Sequence, residues 1–67
     1  MSKYKPLWDY VNSNKKKEYK LSYEDIKKIL GFDIDHSFLK YKKELLEYGY
    51  RVEKISLKEK YVLILKN

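Results

Sequence analysis

Sixty-seven residues make one domain with little interior, so stability must come from dense packing or from a partner. The chain has no cysteine and a single histidine, His36, which excludes disulfides, thiolate metal sites and a histidine cluster. Sixteen Lys+Arg against ten Asp+Glu leave a net charge of +6, an excess that favours a polyanionic partner.

In chain order, "KPLWDYV" opens on Pro6, which is pre-set for a first helical turn. Leu7, Tyr10 and Val11 then recur at i, i+3 and i+4, predicting a short helix over about 6–13. "NSNKKK" is a loop with a lysine run. "EYKLSY" alternates strictly, with Tyr19, Leu21 and Tyr23 on one side, as a half-buried strand does. Ser22 with Asp25 three residues on is a capping box, and it opens a helix whose Ile26, Ile29 and Leu30 form the apolar stripe. Gly31 is its left-handed stop. After the turn "FDID", with Asp33 or Asp35 as the next N-cap, a third helix is predicted over 36–48. Phe38, Tyr41, Leu45 and Tyr48 lie on its inner side, and His36, Lys40, Lys43 and Glu47 on its outer side. Gly49 ends it. "YRVEKISL" reads as a strand whose apolar phase slips between Val52 and Ile55, the mark of a bulge. "KEK" is a tight connection and "YVLILK" a last strand. The fold class expected from this order (α-β-α-α-β-β) is α+β: a winged helix-turn-helix over 1–67 with a small three-stranded antiparallel sheet.

Catalytic constellations are missing. The only glycines are helix stops, so no phosphate loop exists, and neither a Ser/His/Asp set nor a metal-binding spacing is present. No enzyme activity, cofactor, metal or small-molecule substrate is expected. No apolar run approaches the roughly 20 residues that span a bilayer, and "MSKYKPLWDY" lacks a signal-peptide core. The expectation is a cytoplasmic protein with no membrane partner.

The cations are the candidate site. Fifteen are Lys and only Arg51 is Arg. Lysine suits phosphate oxygens, whereas the arginine fork reads guanine edges. Lys, Ile, Asn and Tyr are also what low-GC coding enriches, an explanation of the lysine excess that needs no function. In a helix-turn-helix the second helix of the pair enters the major groove. This assigns phosphate contacts to Lys40 and Lys43, with His36 and Ser37 at the helix N-terminus and Ser37, Lys40 and Tyr41 nearest the bases. Glu44 and Glu47 on or beside that stripe oppose the assignment. Lys58 and Lys60 at the hairpin tip, Lys3 and Lys5 in the N-terminal arm, and Lys15, Lys16 and Lys17 in the loop complete the expected contacts. The predicted partner is double-stranded DNA, bound mainly through its backbone and therefore with steep salt dependence. Base stacking by the eight tyrosines is the weaker reading, because Tyr19, Tyr23, Tyr41 and Tyr48 fall on core faces, which leaves Tyr4, Tyr50 and Tyr61 open.

The last strand is apolar on both sides. Tyr61, Leu63 and Leu65 are assigned to the domain's own core, leaving Val62 and Ile64 for a homodimer interface that would contribute about 3 kcal/mol. The competing arrangement has the N-terminal helix, with Trp8, covering that face. An alternative function follows: a protein–protein interaction module, such as an inhibitor encoded by a mobile element, using its basic face or this strand.

"KYKPLWDYV", "LSYEDIKKILGF" and "YGYRV" together resemble a family of small uncharacterised bacterial domains. Its pattern is K-Y-x-P-L-x-x-Y-L, then L-(S/T)-(F/Y)-x-(E/D)-I-E-x-I-L-G-F, then a helix ending in A-G-(Y/W)-x-V before two strands. Lys3, Tyr4, Pro6, Leu7, Tyr10, Leu21, Ser22, Tyr23, Glu24, Ile26, Ile29, Leu30, Gly31, Phe32, Gly49, Tyr50 and Val52 carry the resemblance. The third helix departs from it: that family has a longer segment with paired tryptophans where this chain has "HSFLKYKKELLEYGY". The resemblance implies architecture rather than activity. The topology is also similar to winged-helix proteins of plasmids and phages, including relaxosome accessory proteins that bind DNA as dimers, an analogy at the level of fold.

Overall fold

The computed structural model of the chain describes residues 2–67. Helix α1 spans Lys5–Asn14, strand β1 Glu18–Ser22, and helix α2 Tyr23–Leu30. Helix α3 spans Ser37–Tyr41 and continues as a 3-10 segment, Lys42–Tyr48, before strands β2 (Tyr50–Ser56) and β3 (Tyr61–Lys66). The three strands form one antiparallel sheet in the order β1-β3-β2. The protein is thus a small α+β domain with its helices layered on one face of the sheet.

Local chemistry sets most boundaries where the sequence puts them. Pro6 sits in the first turn of α1. The Ser22 hydroxyl accepts from the Asp25 N–H at 3.0 Å, satisfying one of the orphan donors at the start of α2. Gly31 and Gly49 both take φ +86°, the left-handed conformation that an L side chain resists, and so end their helical segments. The pairing of β2 with β3 shifts between Val52 and Lys54, the bulge that the phase slip implied.

The third helix differs from its expectation. Only five residues are α-helical, and the next seven wind as 3-10, a long run for that geometry. At three residues per turn, Lys42, Leu45 and Tyr48 fall in one row, and buried Leu45 lies at its centre. Glu44 turns inward instead, accepting from Trp8 Nε1 at 2.9 Å and from the Ser2 hydroxyl. The local pattern suits either winding, and packing on α1 selects the tighter one.

The core is aromatic and centred on Tyr4, which is fully buried. Its ring lies 5.3 Å from Phe38 edge-on and 6.0 Å from both Trp8 and Phe32. Tyr19 and Tyr50 make a second edge-on pair at 5.8 Å. Their hydroxyls donate to the Val11 and Lys16 carbonyls at 2.6 and 2.7 Å, tying the end of α1 and the following loop to the sheet. One buried side-chain atom among the described residues has no hydrogen-bond partner, the Tyr23 hydroxyl oxygen. Removing an orphaned hydroxyl relieves its desolvation cost. Tyr23→Phe is therefore expected to hold or raise stability, by up to ~1 kcal/mol in urea denaturation, and a clear loss would reveal a missed bond.

Strand β3 corrects the sequence reading. Val62 and Ile64 are both 0% exposed and sit in the same core as Trp8 and Val11. They face inward with their partners Leu21 and Tyr19 of β1. Tyr61, Leu63 and Leu65 are the residues left half-exposed, on the opposite face. The helical layer covers the side assigned to a second copy, so Val62 and Ile64 are not a dimer interface. A carboxylate placed at either position would report unfolding rather than loss of a partner.

Candidate nucleic-acid interface

The outer face of α3 and its 3-10 extension carries exposed His36, Leu39, Lys40, Lys43, Leu46 and Glu47. Across a groove from it stands the β2–β3 hairpin, with Lys58, Glu59 and Lys60 exposed at the tip. The hairpin turn is held by the Ser56 hydroxyl, which accepts from the Glu59 N–H at 3.0 Å. Lys60 takes φ +57° and gives its carbonyl to the Tyr23 N–H at 3.0 Å, fixing the tip against the start of α2. Lys40, Lys43, Lys58 and Lys60 have no acidic group within ion-pair distance among the described residues. The inward turn of Glu44 removes one of the two carboxylates that opposed Lys40 and Lys43.

The other proposed contacts fall elsewhere. Ser37 is part of a buttress: its N–H donates to Asp35 Oδ1 at 2.8 Å, and its hydroxyl donates to the same oxygen. The Tyr4 hydroxyl lies 2.8 Å from Ser37 Oγ and 3.2 Å from Asp35 Oδ1. Lys3 Nζ reaches Asp35 Oδ2 at 3.0 Å and lies 5.1 Å from the centre of the Phe32 ring. The start of α3 is thus occupied by the chain's own carboxylate, not left open for a phosphate. Tyr41 is half-buried, 6.3 Å from the Tyr4 ring, and turned toward the core rather than a groove. Lys5 pairs with Asp9 at 2.8 Å on its own helix.

The Lys15–Lys17 loop lies at the other end of the sheet. Lys16 accepts from Tyr50, and the Lys17 carbonyl accepts from the Lys66 N–H at 2.8 Å, at the end of β3 remote from the hairpin tip. The six residues of β3 separate this loop from the tip by about 17 Å, beyond the Debye length of about 10 Å at 0.1 M salt. The cations therefore form separate groups rather than one continuous patch. Lys40 and Lys43 lie exposed on the third helical segment and Lys58 and Lys60 at the hairpin tip, the two elements that border the groove.

The Asp35 buttress also bears on stability in acid. The Ser37 hydroxyl, then Lys3, then the Ser37 N–H hold the Asp35 carboxyl well below the usual carboxylate range. Bonds from the Ser2 hydroxyl and the Trp8 indole lower Glu44 as well. A depressed carboxylate contributes stability above its unfolded pKa of about 4, and that stability is lost as pH falls through the folded value. The melting temperature is expected to drop as pH falls below about 4, and Asp35→Asn to flatten that drop. An unchanged acid slope in the variant would remove Asp35 from this role.

Sequence reasoning missed a third arrangement, on the outer sheet face. Lys20 of β1 and Lys54 of β2 are both paired with Leu63 of β3. They place their ammonium groups 4.6 and 5.9 Å from the ring centre of Tyr61. No local pattern marks the three residues, and only the strand register brings them together.

No family model, curated protein or solved structure matches this chain. What places it in a class is its own architecture, a small α+β domain with a three-stranded antiparallel sheet and exposed lysines on its third helical segment and its β2–β3 hairpin. Among the described residues no helix is long and apolar enough to cross a membrane.

Proposed function

We propose that this chain is a winged-helix DNA-binding domain that engages the phosphate backbone of duplex DNA. The observation that carries the reading is the unpaired set Lys40, Lys43, Lys58 and Lys60, divided between the second helix of the pair and the neighbouring hairpin. The element order and the β1-β3-β2 sheet support it, because a winged helix presents a recognition helix and a hairpin wing on one side. Lysines at these positions neutralise phosphates and release counterions, which gives affinity with little base discrimination. Ser37 and Tyr41 drop out as base readers, since both are committed to the fold. Such selectivity as the domain has comes from Lys40 and from the shape of the duplex.

Fluorescence anisotropy with a labelled duplex of arbitrary sequence tests the reading. Four phosphate contacts predict a log–log slope of affinity against salt of about −3.6. Undetectable binding at low salt, or affinity that does not fall as salt rises, overturns it.

A further inference from the structure

The groove between α3 and the β2–β3 hairpin holds about 470 Å³ and is lined by Tyr23, Ile34, Phe38, Leu39, Ile55 and Leu57, with Asp35 and His36 as its polar members. Phosphates have no use for such a lining, so the DNA reading leaves this part of the surface without a role. Three large apolar side chains are exposed among the described residues: Leu39 at 56%, Leu46 at 52% and Leu57 at 79%. Leu39 and Leu57 line opposite walls of the groove, and Leu46 lies further along the same outer face of the third helical segment. Leucines left wet together beside a concavity are what an interaction site looks like, whereas scattered ones need no explanation. The orphaned Tyr23 hydroxyl also belongs to a lining residue.

We infer that this groove is a docking site for an acidic segment of another protein, one that seats apolar side chains between Leu39 and Leu57. Charge complementarity selects the partner. Lys40 follows Leu39 and Lys58 follows Leu57 in the chain, Lys43 and Lys60 lie three to four residues from those walls, and none of the four is paired, while the one carboxylate in the lining, Asp35, is already bonded to Lys3 and Ser37. An amphipathic segment with apolar anchors and carboxylates around them matches both features at once, as in other helix-in-groove and strand-in-groove recognition. The shape argues against a bilayer, which offers no projecting anchor to fill a concavity. The inference does not rest on the DNA reading. It adds a consequence: partner and duplex use the same four lysines and compete for them.

The probe is a short fluorescein-labelled peptide with leucines at helical i, i+3 and i+4 spacing and glutamates elsewhere. It is compared with the same peptide carrying lysines for glutamates, with phosphatidylglycerol vesicles and with the duplex. The acidic peptide is expected to bind and the basic one not to, and unlabelled acidic peptide should displace the duplex. Leu39→Ser with Leu57→Ser should weaken the peptide by about tenfold or more, since truncated anchors dominate such sites. Both residues are exposed, so the melting temperature of the double variant should be unchanged. The inference is overturned if the acidic peptide shows no binding at about 500 μM, a level that corresponds to only a few kcal/mol. It is equally overturned if the double variant binds the peptide as well as the native chain, or if vesicles bind through these leucines while the peptide does not. Duplex binding that survives in the double variant while peptide binding fails separates this result from that of the DNA reading.

Discussion

Trp8→Ala is expected to leave much of the chain unfolded at 25 °C. Trp8 is 2% exposed and packs against Tyr4 at 6.0 Å and Phe38 at 5.9 Å. Its indole N–H also anchors Glu44 of the 3-10 segment at 2.9 Å. Truncating a buried tryptophan costs about 3–5 kcal/mol, as lost transfer energy and as the cavity left behind. A domain of this length has roughly 3–10 kcal/mol in total, at 0.05–0.15 kcal/mol per residue. The substitution therefore removes a large share of the stability, and the loss registers in urea denaturation followed by far-ultraviolet circular dichroism. Trp8→Phe keeps most of the apolar contact and loses the Glu44 bond, so its loss should be clearly smaller. A native-like midpoint for Trp8→Ala would mean that α1 does not cover Ile64 and Val62, and the correction to the dimer reading would fall with it.

Charge reversal at Lys40 and Lys43 is expected to reduce duplex affinity on the order of tenfold or more at low salt, and to lower the salt slope by about two. The reasoning is electrostatic. Each ammonium that meets a phosphate releases a counterion, and each carboxylate put in its place repels the backbone. Both side chains are exposed and unpaired, so the melting temperature should hardly move, and loss of binding cannot be ascribed to loss of fold. Neutralising Lys15, Lys16 and Lys17 together is the control, since that loop lies about 17 Å from the hairpin along β3. If the loop variant loses the affinity and the helix variant keeps it, the interface has been placed at the wrong end of the molecule.

Several elements were legible from residues alone because their causes are local. Ser22 with Asp25 identified the start of α2, Gly31 and Gly49 the stops, and the slipped phase after Val52 the bulge. Each depends on interactions within four residues, where backbone sterics and a single hydrogen bond decide the outcome. The exposed lysines of the third helix were legible too, since helical period alone assigns them to the outer face.

What the sequence by itself determined is therefore the order of the elements, the cap of α2 and the two glycine stops, and exposed lysines on the third helical segment, but not that segment's winding or its N-cap. Only the tertiary structure decided which side of β3 is covered, because a strand apolar on both faces carries no sign of where α1 will lie. It likewise made Tyr4 the centre of the core, turned Glu44 inward to the Trp8 indole, and committed Ser37, Lys3 and Asp35 to a buttress. The physical reason is the same in each case: these arrangements depend on contacts between residues far apart in the chain or, for Ser37 and Asp35, on neighbours whose shared role depends on such a contact. No periodicity encodes them, and only chain closure brings the groups within bonding distance.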